Sequence, residues 1–511
     1  MCFYLKCLWL KKMRYNIKVM IWKIFMKAEN KYYITTPIYY INDKPHIGHA
    51  YTTIAVDALA RYNRLKGRDV LFLTGTDENS QKNISAAEKY YQKQDLSKEE
   101  VRKYLDDMAG IWKETWKTLE LSNSDFIRTT DDRHIKAVRK FFKLVWDKND
   151  IYKGVYEGYY CEACETFIKE SDMDDNKCVI HKTAPKKIKE ENYFFRLSNY
   201  REKLLDYIEK NPNFIMPKAR RNEVVSYIKD FMEDTSITRE GLKWGIEVPE
   251  MPGQALYVWF DALVNYLSAI GFTDDKEMFA KYWPVDLHLV GKDIIKFHCA
   301  LWPAMLLSAG LPLPRQVFAH GFFSIDGAKM SKTLGNVVDP IEIAKKYGND
   351  TLRYYLLREI PFGEDGDFSI TRLEERYNSD LANGLGNLVS RTFALVEKHF
   401  DKIPELEKVD LSGFWKKYEE NIEGLKLHNA LSLVWEEISK CDIIIDKEKP
   451  WELAKKDKKK FEEILGDLLF RIKVIAQALL PFLPDSSKRI LDVLEGADTF
   501  KDKSLFPRLN K

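Results

Sequence analysis

The stretch Lys31-Tyr-Tyr-Ile-Thr-Thr-Pro-Ile-Tyr-Tyr-Ile-Asn-Asp-Lys-Pro-His-Ile-Gly-His49 decides the fold. Aromatic and β-branched residues from Tyr32 to Thr36 predict a strand. Pro37, Asn42 and Pro45 then mark a loop, and a helical pattern follows over about His49 to Lys66. Asp69 to Thr74 reads as a second strand. The succession β-α-β is the unit of a parallel, nucleotide-binding sheet, and the quoted stretch is its first strand-to-helix junction.

Such a junction aims backbone N–H groups and the positive end of a helix at an anion. His46 and His49, three apart, can donate hydrogen bonds to phosphate oxygens there, and Gly48 lets an adenine ring approach the backbone. Alone, the pair would equally suit a metal half-site or two surface residues. Far along the chain, Lys329-Met330-Ser331-Lys332-Thr333 lies in a polar loop between Ile325 and Asn336. Two lysines in such a loop can close over a triphosphate and offset the charge that develops as pyrophosphate leaves. A solvated lysine pair is the plain alternative.

Working outward, polar helical segments run to about Asp147, closing a first half of the sheet domain over 31–150. Residues 151–228 have another texture, lysine-rich with aromatic clusters such as Tyr193-Phe194-Phe195, and read as an insertion. Strand-like runs return at Ala255–Phe260 and Asp286–Val290, the second followed by a helix from about Asp293 to Ala309, giving a second half over 229–320. After the loop region of 321–372, residues 373–511 have helical period throughout, broken at Pro404, Pro450, Pro481 and Pro484. Leu381, Leu385, Leu388, Val389, Phe393 and Val396 share one stripe at about 100° per residue. Asn387 and Arg391 fall on the opposite face, adjacent to one another, and spacing alone makes that a solvated surface.

Inside the insertion, Cys161-x2-Cys164-x13-Cys178-x2-His181 has the ligand spacing of a zinc knuckle. Three thiolates and one imidazole would close the tetrahedron of one structural Zn2+ per chain, leaving no position for substrate. Cys2, Cys7, Cys299 and Cys441 complete a set of seven cysteines too sparse for a disulfide-stapled secreted fold.

Composition bounds the rest. With 511 residues the chain exceeds one ordinary domain. Hydrophobic residues make up 45% and charged residues 31%, and no run approaches the ~18 apolar residues of a membrane span. The formal charge of +3, from 81 basic and 78 acidic residues, means a nucleic-acid partner must be met by local basic surface. Residues 1–30 are basic, but their first 28 lack serine, unlike an organelle leader. We expect the protein proper to begin near Met26, in the cytoplasm.

Together, His46-Ile47-Gly48-His49 and Lys329-Met330-Ser331-Lys332-Thr333 resemble the HIGH and KMSKS signatures of class I aminoacyl-tRNA synthetases. Thr35–Tyr40, Gly75-Thr76-Asp77-Glu78, Tyr257-Val258-Trp259-Phe260-Asp261-Ala262 and Gly291-Lys292-Asp293 leading to Phe297-His298 resemble the methionyl-tRNA synthetase family, from about Tyr32 to the C-terminus. The resemblance implies an α/β Rossmann-type parallel sheet split by a zinc-knuckle insertion and followed by an all-α bundle. It implies ATP-dependent activation of L-methionine and transfer to tRNA(Met), including the initiator, with Mg2+ accompanying ATP.

Position by position, it implies a methionine pocket of Ile38, Tyr40, Trp259, Tyr266 and His298, with Asp77 and the backbone of Ile38 on the ammonium group. Adenosine falls to Gly48 and His49, its ribose to Gly291 and Asp293, and the phosphates to His46, Lys329, Ser331 and Lys332. Arg239 matches a further active-site position. The region 321–372 becomes a stem-contact region, and Asn387, Arg391, Pro450 and Trp451 become anticodon readers, which replaces the plain reading of that helix face. Arg and Asn can read base edges, and Trp can stack on a splayed base.

The chain departs from the family pattern at Thr333, which keeps the hydroxyl, and at Asn79 and Ser80, where relatives often carry His-Gly. We expect a monomer, because little chain follows the bundle. Leucyl, isoleucyl and valyl relatives would carry a larger insertion, and cysteinyl enzymes a different zinc chemistry. A non-catalytic tRNA-binding relative is disfavoured by the intact histidines and lysines, and a small-molecule nucleotidyltransferase by the bundle and knuckle.

Overall fold

The structure is a computed structural model describing residues 31–161, 166–168, 173–179, 183–240, 244–325, 328–329, 337–496 and 504–509. The basic extension, Cys164, His181, Ser331 and Lys332 lie outside the described residues. The chain divides into two compact units: one takes the described residues up to Pro45 with Asn63–Ala319, the other His46–Tyr62 with His320–Lys511.

A six-stranded sheet organises the first unit. Its strands are β1 (Lys31–Tyr40), β2 (Asp69–Asp77), β3 (Asp125–Arg128), β4 (Ile215–Met216), β5 (Leu287–Gly291) and β6 (Val317–His320), in the spatial order β3-β2-β1-β5-β6-β4. The pairs β1–β2, β2–β3, β1–β5 and β4–β6 are parallel. Strand order reverses at β1, with β2 on one side and β5 on the other. In open parallel sheets the crevice at the carboxyl ends of such strands is where ligands bind.

β1 runs four residues beyond the expected strand, and Pro37 explains how. A proline cannot donate to the ladder, and the register with β2 shifts between Thr35 and Ile38. The irregularity re-aims the end of β1, so Ile38, Tyr39 and Tyr40 pair with Gly75, Thr76 and Asp77. Gly75 is required by close approach, since a Cβ there would sit 2.0 Å from the Ile127 carbonyl oxygen on β3.

Three segments differ from the sequence expectation. β3 interrupts the polar segment that was expected to be helical; at four residues with only Ile127 buried, it has too few alternations to read. Ala255–Phe260 is not one strand. Gln254–Leu256 pairs with Thr238–Glu240, and Val258–Ala262 is a helical turn. It is buried on most sides, which erased its helical period. The helix expected from Asp293 is three segments: a 3-10 turn at Lys292–Ile294, a π turn at Phe297–Leu301, and an α-helix at Trp302–Ala309.

Within 151–228, Ile151–Cys161 and Lys186–Phe195 form a long antiparallel pair, the insertion's own sheet. β4, however, belongs to the parallel sheet through its pairing with β6. Cys161 and Cys178 are buried in one small cluster with Ile168, against which Tyr159 and Met173 pack.

The second unit contains most of the helix Ile47–Leu65 and the C-terminal helices. Leu381, Leu385, Leu388, Val389, Phe393 and Val396 are all buried, as the stripe requires, although the segment is π-helical over Tyr377–Gly386 and α-helical over Asn387–His399. Asp57 and Arg353 pair at 2.7 Å with 0% and 1% of their side chains exposed. Among the described residues no helix is long and apolar enough to cross a membrane.

Candidate active site

In the first unit the carboxyl ends of β1, β2 and β5 bring forward Ile38, Tyr40, Asp77 and Gly291. Asp77 is the last residue of β2 and 5% exposed, a carboxylate at the crevice rather than in bulk water. Lys82 Nζ stands 4.4 Å from the Tyr40 ring centroid. The loop after β1 is held from one helix, Lys98–Thr118: Trp112 Nε1 donates to the Asp43 carbonyl at 2.9 Å, and Tyr39 stacks on the Trp112 ring at 5.2 Å.

Trp259, on the turn Val258–Ala262, stacks flat on Phe297 with centroids 3.8 Å apart and an interplanar angle of 4°. The π turn that follows carries His298, fully enclosed. Wide turns of this kind recur at functional sites. His298 Nδ1 lies 3.0 Å from the Ile294 carbonyl, an acceptor, so Nδ1 carries the proton. Nε2 then accepts from the Tyr266 hydroxyl at 2.8 Å. Burial pushes the His298 pKa down to about 4, and His288, whose ring lies 4.2 Å from that of Tyr266, is held well below the ordinary value for the same reason.

The group thus consists of aromatic faces, a neutral imidazole with a fixed tautomer, and one carboxylate. Aromatic faces and edges suit a polarizable thioether, and the carboxylate can offset the desolvation of an ammonium group. The unfolded His298 takes up a proton near 6.5 and the folded one only near about 4, so this group's contribution to stability falls as pH drops across that window and is constant above it. Affinity for a ligand held by this group should accordingly show no histidine inflection between about pH 6 and 8; a weakening toward pH 6 that disappears in His298→Gln would contradict it.

Gly291 caps the 3-10 turn that includes Asp293. Arg239 is engaged by the insertion's sheet: its Nε lies 2.6 Å from Glu190 Oε1, and its guanidinium carbon 4.1 Å from the Tyr160 ring centroid. Asn79, His134 and Asp261 form a buried polar set whose pairing was not foreseen, in which Asp261 receives one donor from each of the others.

In the second unit, His46 and His49 stack with centroids 3.7 Å apart at the start of the helix Ile47–Leu65. The Gly48 amide donates to His46 Nδ1 at 3.1 Å and the His46 amide to His49 Nδ1 at 3.2 Å. As neutral rings, both must then carry the proton on Nε2 and present it as a donor. Backbone geometry therefore fixes two imidazoles in the tautomer that suits an anion. Lys329 ends the short strand Ala328–Lys329, paired with Phe323–Ile325. In the same unit Arg391 and Trp451 meet, with the guanidinium carbon 5.9 Å from the ring centroid and Trp451 43% exposed, and Arg391 also contacts Asp446 at 3.4 Å. Asn387 opens its helix half-buried, and Pro450 is buried.

The family model described as tRNA synthetases class I (M) matches residues 32–174 and 162–393. The methionine–tRNA ligase of Caldanaerobacter subterraneus subsp. tengcongensis is 44% identical over 510 residues, covering 94% of this chain and 79% of that protein. The chain belongs to the methionyl-tRNA synthetase family. Its relatives in that family include the methionine–tRNA ligase of Bacillus subtilis, 45% identical over 498 residues, with 92% of this chain and 74% of that protein covered. The methionyl-tRNA synthetase of Mycobacterium tuberculosis, solved in complex with methionyl-adenylate, has the same fold with a TM-score of 0.88 at 37% identity, covering 94% of this chain and all of that one.

Proposed function

We propose that the first unit holds L-methionine between Ile38, Tyr40, Trp259, Tyr266 and His298, with Asp77 and the Ile38 backbone on its ammonium group. The overall reaction is the family's: ATP-dependent formation of methionyl-adenylate, then transfer of the methionyl group to the 3′ end of tRNA(Met). The observation that carries the pocket is the convergence of Asp77 with Ile38 and Tyr40 at the reversal of strand order. The substrate carboxylate is already a nucleophile, so the protein's work is positioning and charge stabilisation as it attacks the α-phosphorus.

In this reading His46, Gly48, His49, Gly291, Asp293, Lys329, Ser331 and Lys332 bind ATP, and His46, His49, Lys329 and Lys332 act on the phosphates. Mg2+ arrives with the nucleotide. Asn387, Arg391, Pro450 and Trp451 read the anticodon, supported by an exposed indole beside a guanidinium. The enzyme acts as a cytoplasmic monomer. The test of the pocket is Asp77→Ala. Leaving the ammonium without its carboxylate should raise the KM for methionine by roughly two orders of magnitude with the KM for ATP little changed. An unchanged methionine KM would remove the pocket assignment.

Cys161, Cys164, Cys178 and His181 would hold one structural Zn2+. The two described thiols suit that role, being buried together without a disulfide. Bound zinc would tie the insertion's strands and supply no catalytic step. Metal analysis should find one zinc per chain, lost in Cys161→Ser; unchanged zinc content in that variant would reject the site.

A further inference from the structure

The end of β2 and the turn carrying Trp259 are joined by a buried polar bridge that the chemistry above does not use. Asp261, 0% exposed, has both carboxylate oxygens engaged from different elements. Asn79 Nδ2, in the loop just after β2, donates to Oδ2 at 2.7 Å and also lies 3.3 Å from the Thr129 carbonyl. His134 Nε2, on the helix Asp132–Asp147, donates to Oδ1 at 2.6 Å. The other nitrogen of His134 is 3.0 Å from Ser268 Oγ, whose hydroxyl donates to the Val264 carbonyl at 2.9 Å. None of the four side-chain-bearing residues is more than 7% exposed.

Position in sequence gives this bridge its meaning. Asn79 is two residues beyond Asp77, and Asp261 two residues beyond Trp259. Two steps along a helical turn rotate a side chain by roughly 200°, so Trp259 and Asp261 point to opposite sides of their turn. One stacks on Phe297, and the other is locked inward. A carboxylate in so dry a site must keep its donors, because an unpaired buried charge is far costlier than the pair. The bridge therefore ties the loop just after Asp77 to the turn that carries Trp259.

We infer that Asp261, with Asn79 and His134, is a set of positioning residues that determines affinity for the amino acid substrate. The inference rests on the proposed methionine pocket. None of the three touches substrate; they hold the two elements that do. Displacing a positioned group by about 1 Å can cost up to ~100-fold, so disruption of the bridge should be read in substrate binding before it is read in nucleotide binding.

The test is steady-state pyrophosphate exchange with methionine and ATP varied separately, in Asp261→Asn, Asn79→Leu, His134→Leu and His134→Gln. Folding is checked by circular dichroism and thermal unfolding. Asp261→Asn presents a donor where a donor already points, and the two leucine variants remove one donor each. Each should raise the KM for methionine roughly 10- to 100-fold while the KM for ATP stays within about twofold. His134→Gln, whose amide reaches the place of Nε2, should recover most of the loss. If Asp261→Asn does not fold, Asn79→Leu decides alone. Parallel shifts in both KM values, or an unchanged methionine KM, would overturn the inference. Trp259→Ala is the control that separates it from the pocket: a methionine KM raised by Trp259→Ala but normal in the bridge variants rejects only the bridge. If Trp259→Ala itself leaves that KM unchanged, pocket and bridge both fall.

Discussion

His49→Ala is expected to slow methionine-dependent pyrophosphate exchange by roughly 100- to 1,000-fold, the usual loss when one preorganised donor to a developing negative charge is removed. The magnitude follows from how little freedom the ring has. His46 and His49 stack on one another, and each has its Nδ1 occupied by a backbone amide at the start of the helix Ile47–Leu65. The proton on Nε2 is thus committed before any ligand arrives, and the helix N-terminus adds positive potential. No reorganisation is needed in the transition state, so the loss should fall mainly on kcat. His49→Gln, which can present an amide donor from a similar distance, should recover part of the rate. A His49→Ala enzyme exchanging pyrophosphate within a few-fold of the parent would show that the imidazole has no such role.

Arg353→Leu should destabilise the C-terminal unit by about 3–5 kcal/mol, the cost of breaking a buried ion pair from one side. Arg353 is 1% exposed and has three partners: Asp57 at 2.7 Å, the Phe482 carbonyl at 2.7 Å and the Pro481 carbonyl at 3.0 Å. Its removal deprives two buried carbonyls of a donor and leaves Asp57 to Arg61, 2.7 Å away on the same helix. That remaining partner places the expected loss nearer the lower figure. Asp57→Leu combined with Arg353→Leu should be less destabilised than the sum of the single changes, because both fully buried charges are then gone and only the partly exposed Arg61 has lost a partner. Urea unfolding of the variants measures both quantities, and additive losses would mean that the two side chains do not couple.

These two sites also show what could be read from sequence and what could not. The junction at His46–His49 was legible because a strand ending, two prolines and a helix beginning are consecutive. The stripe from Leu381 to Val396 was legible because burial on one helix face leaves a local period. The Asp57–Arg353 pair left only half a signal, a carboxylate inside the apolar run Ile54-Ala55-Val56-Asp57-Ala58-Leu59. Nothing local says which cation lies opposite. His134 left a similar trace, standing on the face shared by Ala137, Val138, Phe141, Phe142 and Val145, all buried. An imidazole on such a stripe asks for a partner, but Asp261 is too distant in sequence to be named.

Other features were hidden for reasons of length and packing. β3 is too short to alternate, and the turn Val258–Ala262 is enclosed so completely that neither a period of two nor one of 3.6 survives. The π turn around His298 reads in sequence as ordinary helix, since one extra residue per turn changes no composition. Pro37 read as the start of a loop, whereas β1 continues past it with a shifted register.

The proposed pocket would recognise methionine by aromatic walls, a neutral imidazole and a single carboxylate. Pyrophosphate exchange driven by each of the twenty amino acids in turn tests that most directly. It should respond to methionine far above every other, whereas a full response to leucine or cysteine, with methionine at background, would contradict it.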